Sequence, residues 1–287
     1  MSATYYFIQN KLQSVFNDFK DEEWCDLDIS NFNAKGYSVK AHQKAYILKY
    51  YAAYFCELYR AYGRFIDNFS GNNLTVLSIG CGSGVDCEAL YRVNIDRGRG
   101  LNINYVGVDI VDWDYRPNFH WASFQNKCAS SISKSDVCDV DLYVFPKSLT
   151  ELSIEAREHI ANTIIENSQK DKIYFVNTYV TNNPNYSNYV NGLSQFRTIN
   201  NKLTKSSWCY LSDPNLYWYL KNTGWLGNTF DFFSIPNDIT PFVRELKSNC
   251  SNQVDDEKCR ECEVGFLPIF NGNYLAYGVI GYEKRVI

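Results

Sequence analysis

With 287 residues, 45% of them apolar and 16% aromatic, the chain is long enough for one large α/β domain with additions and too hydrophobic for intrinsic disorder. A formal charge of −4 argues against a duplex nucleic-acid partner, which needs a basic field that displaces phosphate counterions, although a local patch such as Arg92, Arg97 and Arg99 keeps RNA open. No segment offers the roughly 18–20 apolar residues of a membrane span, and Met1-Ser2-Ala3-Thr4-Tyr5-Tyr6 lacks a secretory pattern, so a cytoplasmic protein with mostly reduced cysteines is expected.

Residues 1–70 read as an amino-terminal helical cap. Leu12, Val15, Phe16 and Phe19 share one helical face, and a longer helix over 41–69 stacks Tyr46, Tyr50, Tyr54 and Leu58 at spacing four. That stripe either packs on a core or roofs an acceptor pocket. From Leu74 the period changes: Leu74-Thr75-Val76-Leu77-Ser78-Ile79 is a β-rich run that stops at glycines, followed by helix-tolerant Cys87-Glu88-Ala89-Leu90-Tyr91. Further strands are expected over 103–109, 119–123, 141–145 and 173–179. Strands alternating with helices predict right-handed βαβ units and a mostly parallel sheet over 71–287.

Ser148-Leu149-Thr150-Glu151 has the spacing of a capping box, which predicts a helix over 148–168. The polar stretch 181–207 reads as a long surface connection, a candidate lid. Asp213-Pro214-Asn215 opens a helix that ends near Gly224. Strands over 230–235 and 274–282 enclose a cysteine-bearing insertion at 236–268.

The segment Ser78-Ile79-Gly80-Cys81-Gly82-Ser83-Gly84 places three alternating glycines where a strand must turn sharply into a helix. Lacking Cβ atoms, they let a ligand approach the backbone, and the helix that follows presents free N–H groups. Asp109 comes 25 residues after Gly84 at the tip of the next strand, where a carboxylate can accept from both hydroxyls of a ribose. Nicotinamide and flavin sites use G-x-G-x-x-G, whereas here one residue separates the last two glycines.

On these residues the chain resembles, over about 72–287, the class I S-adenosylmethionine-dependent methyltransferases, whose first motif is E/D-x-G-x-G-x-G. The resemblance implies a Rossmann-like, seven-stranded, mostly parallel sheet flanked by helices, with an amino-terminal cap and an insertion before the last strand. It implies S-adenosylmethionine as cofactor, with Gly80, Cys81, Gly82 and Gly84 beside its methionine and ribose, Asp109 on the ribose diol, and Ile110 and Val111 near the adenine. Ser123, Phe124 or Gln125 would flank the adenine edge. Ser78 departs from the pattern, standing where the family often has an acid for the methionine amino group; Asp86 is a candidate substitute.

The fourth-strand tip, Phe145-Pro146-Lys147-Ser148-Leu149-Thr150-Glu151, occupies the position that faces the transferred methyl in these enzymes, and it is neither N/D-P-P-Y/F nor a Pro-Cys nucleophile. Lys147 reads as an acceptor-orienting amine or a solvated loop lysine, and Glu151 as an acid for a cationic acceptor or a helix cap. Tyr46, Tyr50 and Tyr54 are candidate substrate contacts. The acidic charge and aromatic surplus favour a small-molecule or peptide acceptor. An RNA methyltransferase, and a cofactor-binding module without turnover, are the alternatives. Cys250, Cys259 and Cys262 supply three zinc-type ligands, one short of a structural tetrahedron, so free thiols in a surface loop and no metal are expected, with a zinc completed by Cys209 or Cys128 as the alternative.

Overall fold

A computed structural model describes residues 3–20, 36–180, 191–211, 218–219 and 275–285, with 238, 239, 241, 242, 245 and 248. Its described residues divide into two compact units, one comprising 1–56 and 223–272, the other 57–222 and 273–287. Helix α2 (Lys40–Asn68) passes from one to the other. None of the described helices is long and apolar enough to cross a membrane.

The first unit contains α1 (Ala3–Asn17) and the opening half of α2. Ile8, Leu12, Val15 and Phe16 of α1 are buried, as are Ala45, Leu48, Ala52 and Phe55 of α2, each set at the three-to-four spacing of a helix with one apolar face. Tyr46, Tyr50 and Tyr54 lie half-buried beside the core-facing stripe. Their rings form a ladder with centroids 4.9 Å apart for Tyr46 and Tyr50 and 5.3 Å for Tyr50 and Tyr54.

The second unit is built on the sheet. In chain order it carries β1 (Asn73–Ile79), α3 (Val85–Asp96), β2 (Asn102–Asp109), β3 (Ala122–Asn126), α4 (Lys134–Val137), β4 (Leu142–Pro146) and α5 (Ile154–Asn167). Then follow β5 (Lys172–Val180), α6 (Asn191–Thr204), β6 (Trp208–Tyr210), β7 (Trp218–Tyr219) and β8 (Leu275–Lys284). The strand order is β3-β2-β1-β4-β5-β8-β6, with β7 also paired to β8. The seven strand positions of a Rossmann-like sheet are therefore filled, the outermost shared by two short strands. β1 to β5 run parallel, and β8 is antiparallel to β5, β6 and β7. Strand order reverses between β1 and β4, so the crevice of such a sheet opens at the carboxyl end of β1.

The central strands read as continuous apolar runs because both sheet faces are covered. Leu142, Tyr143, Val144 and Phe145 of β4 are all fully buried. On one face Tyr143 stacks on Phe175 at 5.2 Å, and α5 and α6 add Ile160, Ile164, Phe196 and Ile199. On the other, Phe65 of α2 meets Tyr174 edge-on at 5.2 Å.

Several expectations are corrected. The stretch read as a surface connection contains α6, whose Phe196, Ile199 and Leu203 are fully buried; of the asparagines that suggested a loop, Asn201 is exposed and Asn200 accepts from the Tyr210 and Tyr282 hydroxyls, both at 2.6 Å. The capping box at Ser148 does not start a helix: a single 3-10 turn covers Ser148–Thr150, and α5 begins after Ser153, whose hydroxyl accepts from the Ala156 amide at 3.2 Å. Trp218 and Tyr219, expected in a helix, pair with β8. β3 lies three residues later than 119–123, since its Ala-Ser-Phe-Gln-Asn sequence has one large apolar residue and no period to mark its ends. The strand over 230–235, most of the insertion over 236–268, and Asp213-Pro214-Asn215 lie outside the described residues.

Candidate functional site

β1 ends at Ile79 because the chain must leave the sheet with left-handed backbone. Gly80, Gly82 and Gly84 have φ of 70°, 54° and 76°, where a Cβ is disfavoured. Space excludes it too: at Gly80 it would stand 2.4 Å from the Ser148 Cβ, and at Gly84 2.8 Å from Pro117 Cδ. The Gly80 and Cys81 amides both donate to the Val108 carbonyl, at 2.8 and 3.2 Å, which ties the turn to β2.

Asp109 closes this turn from β2. Its carboxylate accepts from the Gly82 amide at 2.8 Å and the Val111 amide at 2.9 Å. Burial raises its carboxyl, while these two backbone donors and nearby Arg116 pull the other way. Arg116 is itself anchored by the Val111 carbonyl at 2.9 Å and lies over the Phe124 ring at 5.1 Å.

A crevice of 280 Å³ opens beside the turn, lined by Gly80, Asp109, Ile110, Cys128, Ser148 and Glu151 among others. Ile110 is 54% exposed there, an apolar surface without cover. The Ser148 hydroxyl donates to the Ile79 carbonyl at 2.5 Å and closes the floor. Glu151 stands exposed at the rim, yet desolvation against the wall and then the negative charge of Asp109 raise its carboxyl. The exposed Cys128 thiol is lowered by its hydrogen bond to the Ser130 hydroxyl, at 3.0 Å, whereas burial pushes the Cys81 thiol well up.

Behind the crevice wall the polar groups are sealed. Lys147 has a left-handed φ of 65°, the one non-glycine such case among the described residues. Its amide donates to Thr178 Oγ1 at 2.9 Å, and its buried ammonium donates to Glu57 at 2.7 Å and the Tyr179 carbonyl at 2.5 Å. Burial raises the Glu57 carboxyl to about 7 against the opposing charge of Lys147, and lowers Lys147 against that of Glu57. Asp86, also fully buried, accepts from the Tyr105 hydroxyl at 2.8 Å and the Tyr62 hydroxyl at 3.5 Å. Burial raises it to about 6, with the Ser78 and Tyr105 hydroxyls pulling down.

The crevice thus gathers Gly80, Asp109, Ile110 and Glu151. Gly82 and Gly84 shape the turn, Cys81, Val111 and Ser78 pack beneath it, and Pro146 ends β4. Ser123 and Phe124 fall inside β3, and the loop after it, Lys127 to Ser130, forms the wall instead. That wall escaped sequence reading because β3 carries no periodic signal, and Ser148 because its spacing from Glu151 reads as a helix cap. Tyr46, Tyr50 and Tyr54 belong to the first unit. Cys250, Cys259 and Cys262 lie outside the described residues, among which no His, Cys, Asp and Glu group could hold a metal. His42 and His159 bond backbone carbonyls of Gly36 and Ile132.

Neither a protein-family model nor a curated protein sequence matches the chain. Some solved structures are remotely similar. A TehB-like SAM-dependent methyltransferase from Corynebacterium glutamicum is 15% identical with a TM-score of 0.39, over 78% of this chain and 88% of that one. The plantazolicin methyltransferase BpumL in complex with SAH is 12% identical with a TM-score of 0.46, over 98% and 100%. A SAM-dependent methyltransferase from Archaeoglobus fulgidus is 15% identical with a TM-score of 0.42, over 78% and 92%.

Proposed function

We propose that the crevice binds the adenosyl group of S-adenosylmethionine and that the chain is a methyltransferase with a small-molecule or peptide acceptor. One observation carries the reading: the left-handed glycine turn and the backbone-held carboxylate of Asp109 meet at the lip of a 280 Å³ cavity. The Asp109 carboxylate, oriented by the Gly82 and Val111 amides, lines the cavity where a ribose diol would meet it. Exposed Ile110 provides apolar surface for a base. The volume lies near the low end of small-molecule pockets, roughly 300–1,000 Å³, which suits a nucleoside.

When bound, the cofactor supplies a methyl group activated by its sulfonium. The chain then has to hold an acceptor in line and keep water out, and a general base is optional. Glu151, whose carboxyl is held up at the rim, is the group we assign to meeting the acceptor or its proton. Lys147, tied to Glu57, is assigned a positioning part: it pins the tip of β4 so that Ser148 seats against Gly80. The aromatic-rich composition and the net charge of −4 support an organic or peptide acceptor over RNA.

Calorimetry with S-adenosylhomocysteine tests the cofactor. Binding is expected, and Asp109→Ala should weaken it by at least roughly 1.5 kcal/mol, or about tenfold, through lost charge-assisted hydrogen bonds. An unchanged dissociation constant would sink the ribose assignment. Transfer of labelled methyl to peptide or small-molecule fractions tests the acceptor. Label confined to RNA, with salt-sensitive binding, would replace it.

A further inference from the structure

Away from the crevice, we propose a second site, for a small ligand that carries a phosphate group. A pocket of 250 Å³ is lined by Tyr59, Arg60, Gly63, Arg64, Asp67, Arg97 and Tyr277. Arg60, Gly63, Arg64 and Asp67 fall at i, i+3, i+4 and i+7 of α2, one face of the helix. Arg97 stands just past α3, and Tyr277 on β8 pairs with Thr178. Three guanidinium groups against one carboxylate is a concentration of positive charge in a chain whose net charge is −4. Guanidinium groups gathered on one pocket wall attract an anion.

The pocket is shaped as well as charged. Gly63 sits inside a long helix, where glycine costs about 1 kcal/mol relative to alanine. A Cβ there would stand 3.2 Å from the terminal Nη2 of Arg97, so the glycine keeps room for that guanidinium. The Arg64 Nε donates to the Tyr277 hydroxyl at 2.9 Å, which aims the rest of its planar fork. The Tyr59 hydroxyl donates to Asp96 at 2.9 Å, which turns its ring to the wall.

Arg97 pairs with Asp67 at 3.3 Å, both about half exposed. Such a pair is worth little, so a better anion can displace it. Its sequence neighbours are engaged differently: Arg99 donates to the Phe69 carbonyl at 2.7 Å, and Arg92 is paired with Asp96. Arginine forks suit phosphoryl oxygens. A half-open pocket of this small volume between two tyrosines favours a small phosphorylated molecule over the backbone of RNA.

Calorimetry with inorganic pyrophosphate at low ionic strength tests this independently of the cofactor reading. One saturable site is expected, weakened about tenfold or more by Arg60→Gln or Arg97→Gln. Gly63→Ala should weaken binding about threefold or more without lowering the melting temperature, because alanine favours the helix while crowding Arg97. Asp67→Asn should tighten it, a gain that a purely structural role would not produce. No saturable binding, wild-type affinity in Arg97→Gln, weaker binding in Asp67→Asn, or binding of single-stranded RNA without pyrophosphate would each overturn the proposal.

Discussion

The two sides of the glycine turn satisfy their charges by different means. On the crevice side, Asp109 takes backbone amides from Gly82 and Val111. On the sealed side, backbone amides also reach Asp86 and Glu57, and each adds side-chain partners, tyrosine hydroxyls for Asp86 and the ammonium of Lys147 for Glu57. Backbone donors stay in place when a ligand arrives or leaves, so a carboxylate held by them is preorganised for binding. The added side-chain partners of Asp86 and Glu57 tie separate elements of the scaffold together. The contrast implies that substitutions on the crevice side change ligand affinity and spare stability, while those behind it do the reverse.

The largest effect is expected at Lys147. Lys147→Met leaves Glu57 buried without its cation and should cost about 3–5 kcal/mol in urea unfolding, while Lys147→Met with Glu57→Leu recovers part of it. A Lys147→Met variant as stable as wild type would show that the pair supports nothing. Next comes Asp86. Burial holds it at about 6 in the folded state against an ordinary 3.8, so its contribution to stability is complete below pH 3.8 and is lost as pH rises through 6. The gap corresponds to about 3 kcal/mol. Glu57, raised to about 7, acts in the same direction. Asp86→Asn should flatten the decline between pH 4 and 6, and a slope identical to wild type would refute the assignment.

Smaller effects belong on the other side. Asp109→Ala should lose the roughly 1.5 kcal/mol of cofactor affinity while its urea midpoint changes little; a large stability loss with it would blur the distinction between the two sides. Smallest is a change of rate at Cys128, the exposed thiol in the crevice lining. Saturating S-adenosylhomocysteine should slow its alkylation several-fold, and labelling at an unaltered rate under saturation would place the ligand elsewhere.

How far the sequence could be read follows from how local each signal was. The turn at 80–84 was legible because steric exclusion of Cβ acts within the turn itself, and in the structure all three glycines adopt left-handed backbone there. Asp109 was legible because it ends a strand with a strong β pattern. α6 was hidden by its composition: its three buried apolar residues, Phe196, Ile199 and Leu203, are diluted by polar neighbours such as Asn200 and Asn201, which read as a loop. Glu151 illustrates the limit most clearly. Its spacing from Ser148 satisfied the local rule for a cap, but the backbone at Lys147 turns left-handed and the chain makes a short 3-10 turn before α5 begins.

The sequence by itself therefore determined the parallel core, the glycine turn and the carboxylate opposite it, since hydrophobic period and backbone sterics act over a few neighbouring residues. Only the tertiary structure decided which long-range partners meet: Glu57 with Lys147, 90 residues apart, and Arg64 with Tyr277, 213 apart. Such pairs leave no periodic trace, because their energy depends on burial and on distances that exist only once the sheet has brought α2, β4 and β8 together.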